Sequence, residues 1–325
     1  MKFGFTGVAA ALALAACAPA ARPELPKAPV PAGSSIRIQA APVPLNTADP
    51  AQDRLGNFAY AGGLQLTSDQ TSRLHGLSDL KVWPDGRVLS ISDEGDLLEA
   101  RLALDPQGRP IGLTDAHLKN LVAEDGKPFA SKLEADAEGV DELPNGDLLV
   151  SFESHDRALL YPAAGGPPKV VPSPPEKFPF NSGMEALALL PAAGSDAYVT
   201  GGEVSGQTWV CRLSAGCTEA RKVDKPAEFG LTAVAPLPGG RIAYLLRAYD
   251  PLRGARGSLR IEDGQGNRID QVDLARPFTV DNYEGLAAVP RPDGTIRFYI
   301  ISDDNFSSSQ RTLLLAFDWR PPTGR

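Results

Sequence analysis

The stretch YEGLAAVPRPDGTIRFYIISDDN, residues 283–305, contains the unit from which this chain is built. A short apolar run leads to a Pro/Asp/Gly turn, and a second apolar run then ends in acidic residues. This pattern predicts two antiparallel strands joined by a tight turn. Four further copies precede it, namely HGLSDLKVWPDGRVLSISDEG (75–95), EGVDELPNGDLLVSFESHD (138–156), MEALALLPAAGSDAYVTGGE (184–203) and LTAVAPLPGGRIAYLLRAYD (231–250).

The repetition, at a period of about fifty residues, indicates one small unit stacked on itself. Further apolar runs follow each copy and bring four of the copies to four strands and the last copy to three. The missing strand is supplied by NFAYAGGLQLTS, residues 57–68. We therefore predict an all-β fold, a five-bladed β-propeller whose ring is closed by an N-terminal strand. Two alternatives remain. One is a sixth blade in residues 105–137, a segment that otherwise holds a fourth strand and a partly helical insertion. The other is a β-sandwich.

Composition excludes some classes of partner. The chain has 325 residues, a formal net charge of -8 and 7% aromatic residues. A negatively charged chain offers no basic field to a phosphate backbone, and so few aromatic side chains provide no platform for stacking bases. We expect no nucleic-acid partner, and nothing in the sequence indicates oligomerisation, so a monomer is predicted.

The N-terminus has the features of an export signal. Lys2 precedes the apolar stretch GFTGVAAALALAA, which is shorter than the roughly 20 residues that span a bilayer. Leu14-Ala15-Ala16-Cys17 resembles the bacterial lipobox, which implies a signal peptide over 1–16 and lipidation of Cys17; a plain secretory signal is the alternative. Ala18 after the cysteine favours the outer membrane. We expect a lipid-anchored protein of the cell envelope, on the periplasmic face of the outer membrane.

Two further features follow the signal. Residues 17–50 are rich in Pro and Ala and predict an extended tether, with the propeller domain over 51–325. Cys211 and Cys217 flank a predicted turn, and export would allow them to form a disulfide. Two buried reduced thiols are the alternative.

The repeats place acidic residues at one rim. The first strand of each hairpin begins, and the second ends, on the same face of a propeller. The residues predicted to meet there are His75, Asp93, Glu94, Glu138, Glu153, His155, Glu185, Glu203, Arg247, Asp250, Glu284, Asp303, Asp304 and Asn305. Crowded carboxylates repel one another unless a cation neutralises them, and their oxygens suit calcium.

The rim residues fall into three predicted roles. Glu185 and His155 are candidates for the general base or acid, and Arg247 for the clamp on an anionic group. His75, Arg247 and Asn305 are candidate substrate contacts. The candidate ligands of a bound Ca²⁺ are Asp93, Glu94, Glu138, Glu153, Glu203, Glu284, Asp303 and Asp304.

The sequence also resembles a known family. GLSDLKVWPDGRVLSISDEG, NSGMEALALLP and NYEGLAAVPRPDGTIRFYIISDDNFSSSQRTLLLAFDW are similar to the phytase-like domain, often labelled "esterase-like activity of phytase", over about residues 55–319. The resemblance implies a propeller exported from bacteria. The positions that match it are Asp93, Glu185, Glu284, Asp303, Asp304, Asn305 and Arg311, the last as a further substrate contact. The chain has no Gly-x-Ser-x-Gly elbow, which argues against an α/β-hydrolase.

Three functions remain open at this point. The first is Ca²⁺-dependent hydrolysis of a small phosphoric ester at the acidic rim. The second is a propeller that binds a ligand or an envelope protein without catalysis, since a fold does not fix a function. The third is a lactonase-like or carboxylic ester hydrolase.

Overall fold

The computed structural model describes residues 34–322. Four strands precede the first repeat: β1 (Ser34–Ile36), β2 (Gln39–Pro42), β3 (Arg54–Leu55) and β4 (Phe58–Thr67). The first repeat forms β5 (Leu77–Val82), β6 (Arg87–Ser92), β7 (Asp96–Leu104) and β8 (Pro110–Asn120). A short helix, α1 (Lys132–Ala135), leads into β9 (Ala137–Glu142), β10 (Leu148–Phe152), β11 (Arg157–Tyr161) and β12 (Lys169–Val171).

The second half repeats the arrangement. The third repeat forms β13 (Ala186–Leu189), a 3-10 turn (Pro191–Ala193), β14 (Ala197–Gly201), β15 (Gln207–Arg212) and β16 (Gly216–Lys222). The fourth forms β17 (Gly230–Leu237), β18 (Arg241–Asp250), β19 (Gly254–Glu262) and β20 (Arg268–Leu274). The last forms β21 (Asn282–Pro290), β22 (Ile296–Asp303) and β23 (Leu313–Trp319).

Within residues 34–322 these strands form five antiparallel sheets, one for each repeat. The innermost strands β5, β9, β13, β17 and β21 contact one another in that order, and β21 returns to β5. The fold is therefore a five-bladed β-propeller, as the sequence predicts. Residues 105–137 hold β8 and α1 rather than a sixth blade.

The ring closes between the two ends of the described chain. β4 pairs with β23, so the N-terminal strand completes the fifth blade, and this prediction is confirmed. Phe58 of β4 stacks on Trp319 of β23 with ring centroids 6.4 Å apart. Trp319 Nε1 donates a 2.7 Å hydrogen bond to Asp270 of the fourth blade, which ties the closing strands to their neighbour.

The predicted tether is wrong in its second half. Residues 34–36 pair with β8 of the first blade, and residues 39–42 pair with β4 of the fifth. The Pro/Ala-rich composition conceals these strands, because each is short, extends an existing sheet through backbone hydrogen bonds, and packs few apolar side chains, such as Ile36 and Ala40, against the core. Residues 17–33, Cys17 and the predicted signal peptide lie outside the described residues.

The hydrophobic core is divided among the interfaces between adjacent blades. Five clusters of buried apolar side chains fill these interfaces, and the largest joins the fourth and fifth blades. Cys211 and Cys217 are directly opposed on β15 and β16 and form a disulfide, which confirms the predicted bridge. In residues 34–322 no helix is long and apolar enough to cross a membrane.

A buried ion pair links three of the inner strands. Asp79 and Lys81 lie on β5, with Lys81 Nζ 2.7 Å from Asp79 Oδ2. The same carboxylate accepts the backbone N–H of Val140 on β9, and Lys81 donates to the carbonyl of Leu187 on β13. Burial raises the pKa of Asp79 to about 6, and the ammonium opposes that shift. The pair therefore holds neighbouring blades in register below the rim.

Candidate functional site

Eight of the fourteen predicted rim residues meet in one cavity at one end of the central channel. The cavity, called the mouth here, has a volume of about 300 Å³. Its lining includes seven carboxylates, contributed by all blades but the fourth, which supplies Arg247 instead. The lining residues are Ser78, Asp93, Lys132, Asp136, Glu138, Glu153, Asn181, Glu185, Arg247, Glu284, Asp303, Asn305 and Phe306.

These side chains reach the mouth because they lie at or next to strand ends. Glu185 directly precedes β13, and Glu284 lies at the start of β21. Glu153 directly follows β10, and Asp303 ends β22. Because each second strand runs antiparallel to its inner strand, these ends converge on one face, as the repeat predicts.

Three carboxylates form the tightest group. One oxygen from each of Asp136, Glu138 and Glu153 lies within 4.8 Å of the others, and all three residues are buried. Ser154 donates a 2.6 Å hydrogen bond to Asp136, and the backbone N–H of Gly183 donates to Glu153. These bonds fix two of the three carboxylates within 4.8 Å of one another.

Burial and repulsion raise the pKa values of several carboxylates that line the mouth. Desolvation raises the pKa of Glu138 well above its usual range, and the charge of Glu153 raises it further. Desolvation is also the largest cause for Glu153, whose pKa rises to about 7, and for Glu284, whose pKa rises to about 8. Desolvation also raises the pKa of Asp303 well above its usual range. The protein alone therefore does not fully compensate the negative charge that gathers here.

Two cations line the mouth within residues 34–322. Lys132 of α1 bridges Asp93 and Asp136, with Nζ–O distances of 3.1 and 2.8 Å. Arg247 Nη2 lies 3.4 Å from Oε1 of each of Glu185, Glu203 and Glu284. Both cations are thus already engaged by carboxylates.

Arg247 is held in a fixed orientation. Its Nη1 donates a 2.7 Å hydrogen bond to Asn282, whose Nδ2 in turn donates to Glu284. Its Nε is buried and has no hydrogen-bond partner among the described residues. Glu185 Oε2 and Asp93 Oδ1 are likewise buried without a partner in that part of the chain. Three polar atoms around the mouth therefore retain bonding capacity.

A glycine makes room for one of these carboxylates. Gly76 has a φ of +63°, and a Cβ at this position would lie 2.2 Å from Asp93 Oδ1. A side chain at position 76 would therefore displace Asp93 as well as strain the backbone.

Some predicted site residues lie away from the mouth. Asp304 accepts hydrogen bonds from Thr312 and from the backbone of Gly76, and it pairs with His75 at 2.6 Å. Burial raises the pKa of Asp304, but these bonds, led by that of His75, outweigh it and lower the pKa overall. The His75–Asp304 pair braces the loop beneath the rim, and neither side chain lines the mouth.

The other outlying residues have separate positions. Glu203, Glu94 and His155 do not line the mouth. Glu203 nevertheless contacts Arg247, which does. Asp250 lies at the tip of the β18–β19 hairpin and binds Arg253, because β18 extends beyond the rim. Arg311 pairs with Asp281 and faces a neighbouring cavity.

Asp136 and Lys132 line the mouth but were not among the residues predicted from the sequence. Asp136 lies two residues before Glu138, and alternate residues of an extended chain share a face, so the spacing alone contained the signal. Lys132 lies in the irregular insertion before the second repeat, where no periodic pattern marks its position.

Comparison with known families fits this arrangement. A family model described as phytase-like, esterase-like activity of phytase, matches residues 72–306. The chain belongs to the phytase-like family. The match covers all of the carboxylates that line the mouth. No curated protein matches the sequence significantly.

Solved structures similar to this phytase-like chain are distant. A protein assigned as a gluconolactonase has 13% identity and a TM-score of 0.45, over 90% of this chain and 92% of that one. An inactive virginiamycin B lyase from Staphylococcus aureus, solved with quinupristin, has 12% identity and a TM-score of 0.44, over 86% and 99%. The Cps50 (Swd1) β-propeller domain from Myceliophteria thermophila has 10% identity and a TM-score of 0.39, over 89% and 97%.

Proposed function

We propose that this protein is a metal-dependent ester hydrolase that binds Ca²⁺ at the mouth and acts on a small phosphoric ester. The observation that carries the proposal is the set of seven carboxylates around a cavity of about 300 Å³, with Lys132 and Arg247 as the cations in its lining. Close carboxylates with raised pKa values are the environment that a divalent cation stabilises. Calcium takes six to eight oxygen ligands in flexible geometry, which suits a set of carboxylates from several blades.

The residues present fit such an ion. Asp136, Glu138 and Glu153 would hold it, because their oxygens already lie within 4.8 Å of one another. Glu185 and Asp93 line the same cavity, and each has one buried carboxylate oxygen without a partner among the described residues. All donors in this set are hard oxygens, which favour calcium over softer transition metals.

The chemistry can be assigned to particular side chains. A bound divalent cation would lower the pKa of a water molecule and offset charge on the reacting group. Glu185 Oε2 is available to accept the proton of the attacking water. Arg247, held by Asn282, would contact an anionic oxygen of the substrate through its guanidinium group. Attack of the water oxygen on phosphorus breaks the bond to the leaving alcohol, which takes a proton from solvent.

The charge of the mouth limits the substrate. Both cations are already paired with carboxylates, so a polyanion such as phytate would meet few free positive groups. An ester with a single negative charge or none fits better. For this reason a carboxylic ester or lactone is the second candidate substrate.

Hydrolysis of 4-nitrophenyl phosphate, bis(4-nitrophenyl) phosphate and 4-nitrophenyl acetate, each with Ca²⁺ and with chelator, tests the proposal. We expect Ca²⁺-dependent release of nitrophenol, fastest from the singly charged phosphodiester. Glu185→Gln should reduce the rate at least about a hundredfold, which is the usual scale for a general base. Glu219 is an exposed carboxylate on β16, so Glu219→Gln is the matched control. Absence of turnover on all three would favour the ligand-binding alternative.

We also propose that the protein is a monomer anchored by lipid at Cys17 to the periplasmic face of the outer membrane. The support is the lipobox-like LAAC sequence with Ala18 after the cysteine. Metabolic labelling with a palmitate analogue should mark the wild type and not Cys17→Ser, and membrane fractionation should place the label in the outer membrane. An unlabelled, freely released wild-type protein would refute the anchor.

A further inference from the structure

A second cavity opens beside the mouth, between the tips of the fourth and fifth blades. Its volume is about 950 Å³, and Arg247 and Asn305 line both cavities. This cavity is called the side groove here. The residues that define its character are Tyr249, Leu252, Arg276, Phe278, Val280 and Arg311. Since the two cavities share walls, a molecule with one end in the mouth can extend into the side groove.

One wall of the side groove presents apolar side chains to solvent. Leu252 is 97% exposed and Tyr249 is 72% exposed, although both are large hydrophobic residues. The hairpin tip that carries them is ordered, because Asp250 accepts hydrogen bonds from the backbone N–H groups of Leu252 and Arg253. Asp250, which the sequence placed among the rim carboxylates, therefore shapes this wall. Exposed apolar groups beside a cavity are typical of ligand sites.

The side groove differs from the mouth in charge. Arg276 is exposed and has no hydrogen-bond or ion-pair partner among residues 34–322. Arg311 uses Nε for Asp281 and Nη2 for the carbonyl of Val280. A guanidinium with free donors recognises a carboxylate or a phosphate group through charge-assisted hydrogen bonds. The side groove is therefore suited to an anion, whereas the mouth repels one until a cation binds.

We propose that the side groove binds the non-reacting arm of the substrate, an apolar body that ends in one anionic group. The apolar body would pack between Leu252 and Phe278, and the anionic end would contact Arg276. This inference rests on the proposed function, since it assigns the scissile ester to the mouth. It narrows the substrate class to small esters with an apolar arm that carries a carboxylate or phosphate at its end.

Binding can be tested without turnover. The probe is 8-anilinonaphthalene-1-sulfonate, an apolar body with one anionic group, titrated by fluorescence into the full chain in the presence of chelator. We expect Arg276→Glu to weaken binding about tenfold and Leu252→Asp to weaken it several-fold, on the scale of a lost charge-assisted contact and a lost apolar contact. Arg268→Glu on β20 and Val170→Asp on β12 are exposed controls of the same residue types. Wild-type affinity in Arg276→Glu, or equal losses in the controls, would overturn the assignment.

Kinetics then separate this inference from the proposed function. Three 4-nitrophenyl phosphodiesters share a leaving group and differ in the second group, which is methyl, benzyl or 4-carboxybenzyl. We expect kcat/KM to rise along this series, and Arg276→Glu to remove only the gain from the carboxylate. Equal turnover of all three would overturn the side-groove inference while the hydrolase stands. No turnover, with Arg276-dependent binding of the probe, would overturn the hydrolase and leave the side groove as a site for an apolar anion.

Discussion

The metal-free protein should lose stability as the pH rises from 5 to 8. Glu153 is buried, and its pKa rises from 4.5 to about 7 mainly through desolvation. A carboxyl with a raised pKa binds its proton more tightly in the folded state, so the unfolding free energy falls with pH between the unfolded and folded values. At about 1.4 kcal/mol per pKa unit, Glu153 corresponds to a loss of about 3 kcal/mol. Glu284, with a pKa raised to about 8, acts in the same direction.

The assay is urea unfolding at pH 5, 6, 7 and 8 in metal-free buffer and in Ca²⁺. In Ca²⁺ the loss should be smaller, because an ion that binds ionised carboxylates in the folded form stabilises that form. Glu153→Gln keeps an oxygen for the N–H of Gly183 but cannot ionise, so its metal-free stability should fall less with pH. A wild-type stability that is flat or rises over this range, with no effect of Glu153→Gln, would refute the account of charge at the mouth.

Two substitutions test other parts of the structure. Lys81→Met leaves Asp79 buried without its cation, so urea unfolding should show a loss of about 3–5 kcal/mol; a loss below about 1 kcal/mol would mean that the pair does not brace the inner strands. Gly76→Ala should displace Asp93 and weaken Ca²⁺ binding by calorimetry about tenfold. Gly86→Ala, also at positive φ but in a turn with no contact closer than 3.5 Å, should leave Ca²⁺ affinity unchanged; equal effects would contradict the role of Gly76.

The sequence predicts most of the fold because the repeat is visible. Each hairpin carries a turn signal and two apolar runs, and the three-strand count of the last repeat identifies residues 57–68 as the closing strand. β1 and β2 could not be predicted from periodicity, because they are short strands that join sheet edges through backbone hydrogen bonds. They lie in a Pro/Ala-rich segment, residues 17–50, whose composition is that of an extended linker.

The candidate site was predictable by position but not by contact. The slots in the repeat bring Glu138, Glu185 and Glu284 to one cavity. The hydrogen bonds of Asp304 with His75 and Thr312 could not be predicted from the repeat, since they depend on side-chain orientation. The position of Asp250 could not be predicted either. Pairing with β19 extends β18 beyond the rim and carries Asp250 with it.

The central claim is that the carboxylates of the mouth bind a divalent cation together. The most direct measurement is calorimetric titration of Ca²⁺ into the chelator-treated full chain, with Glu138→Gln and the exposed control Glu219→Gln in parallel. We predict saturable binding to the wild type and to Glu219→Gln, and affinity reduced at least about tenfold in Glu138→Gln, which removes one charged ligand of a buried group. Absence of binding to the wild type, or equal affinity in Glu138→Gln, would contradict the claim.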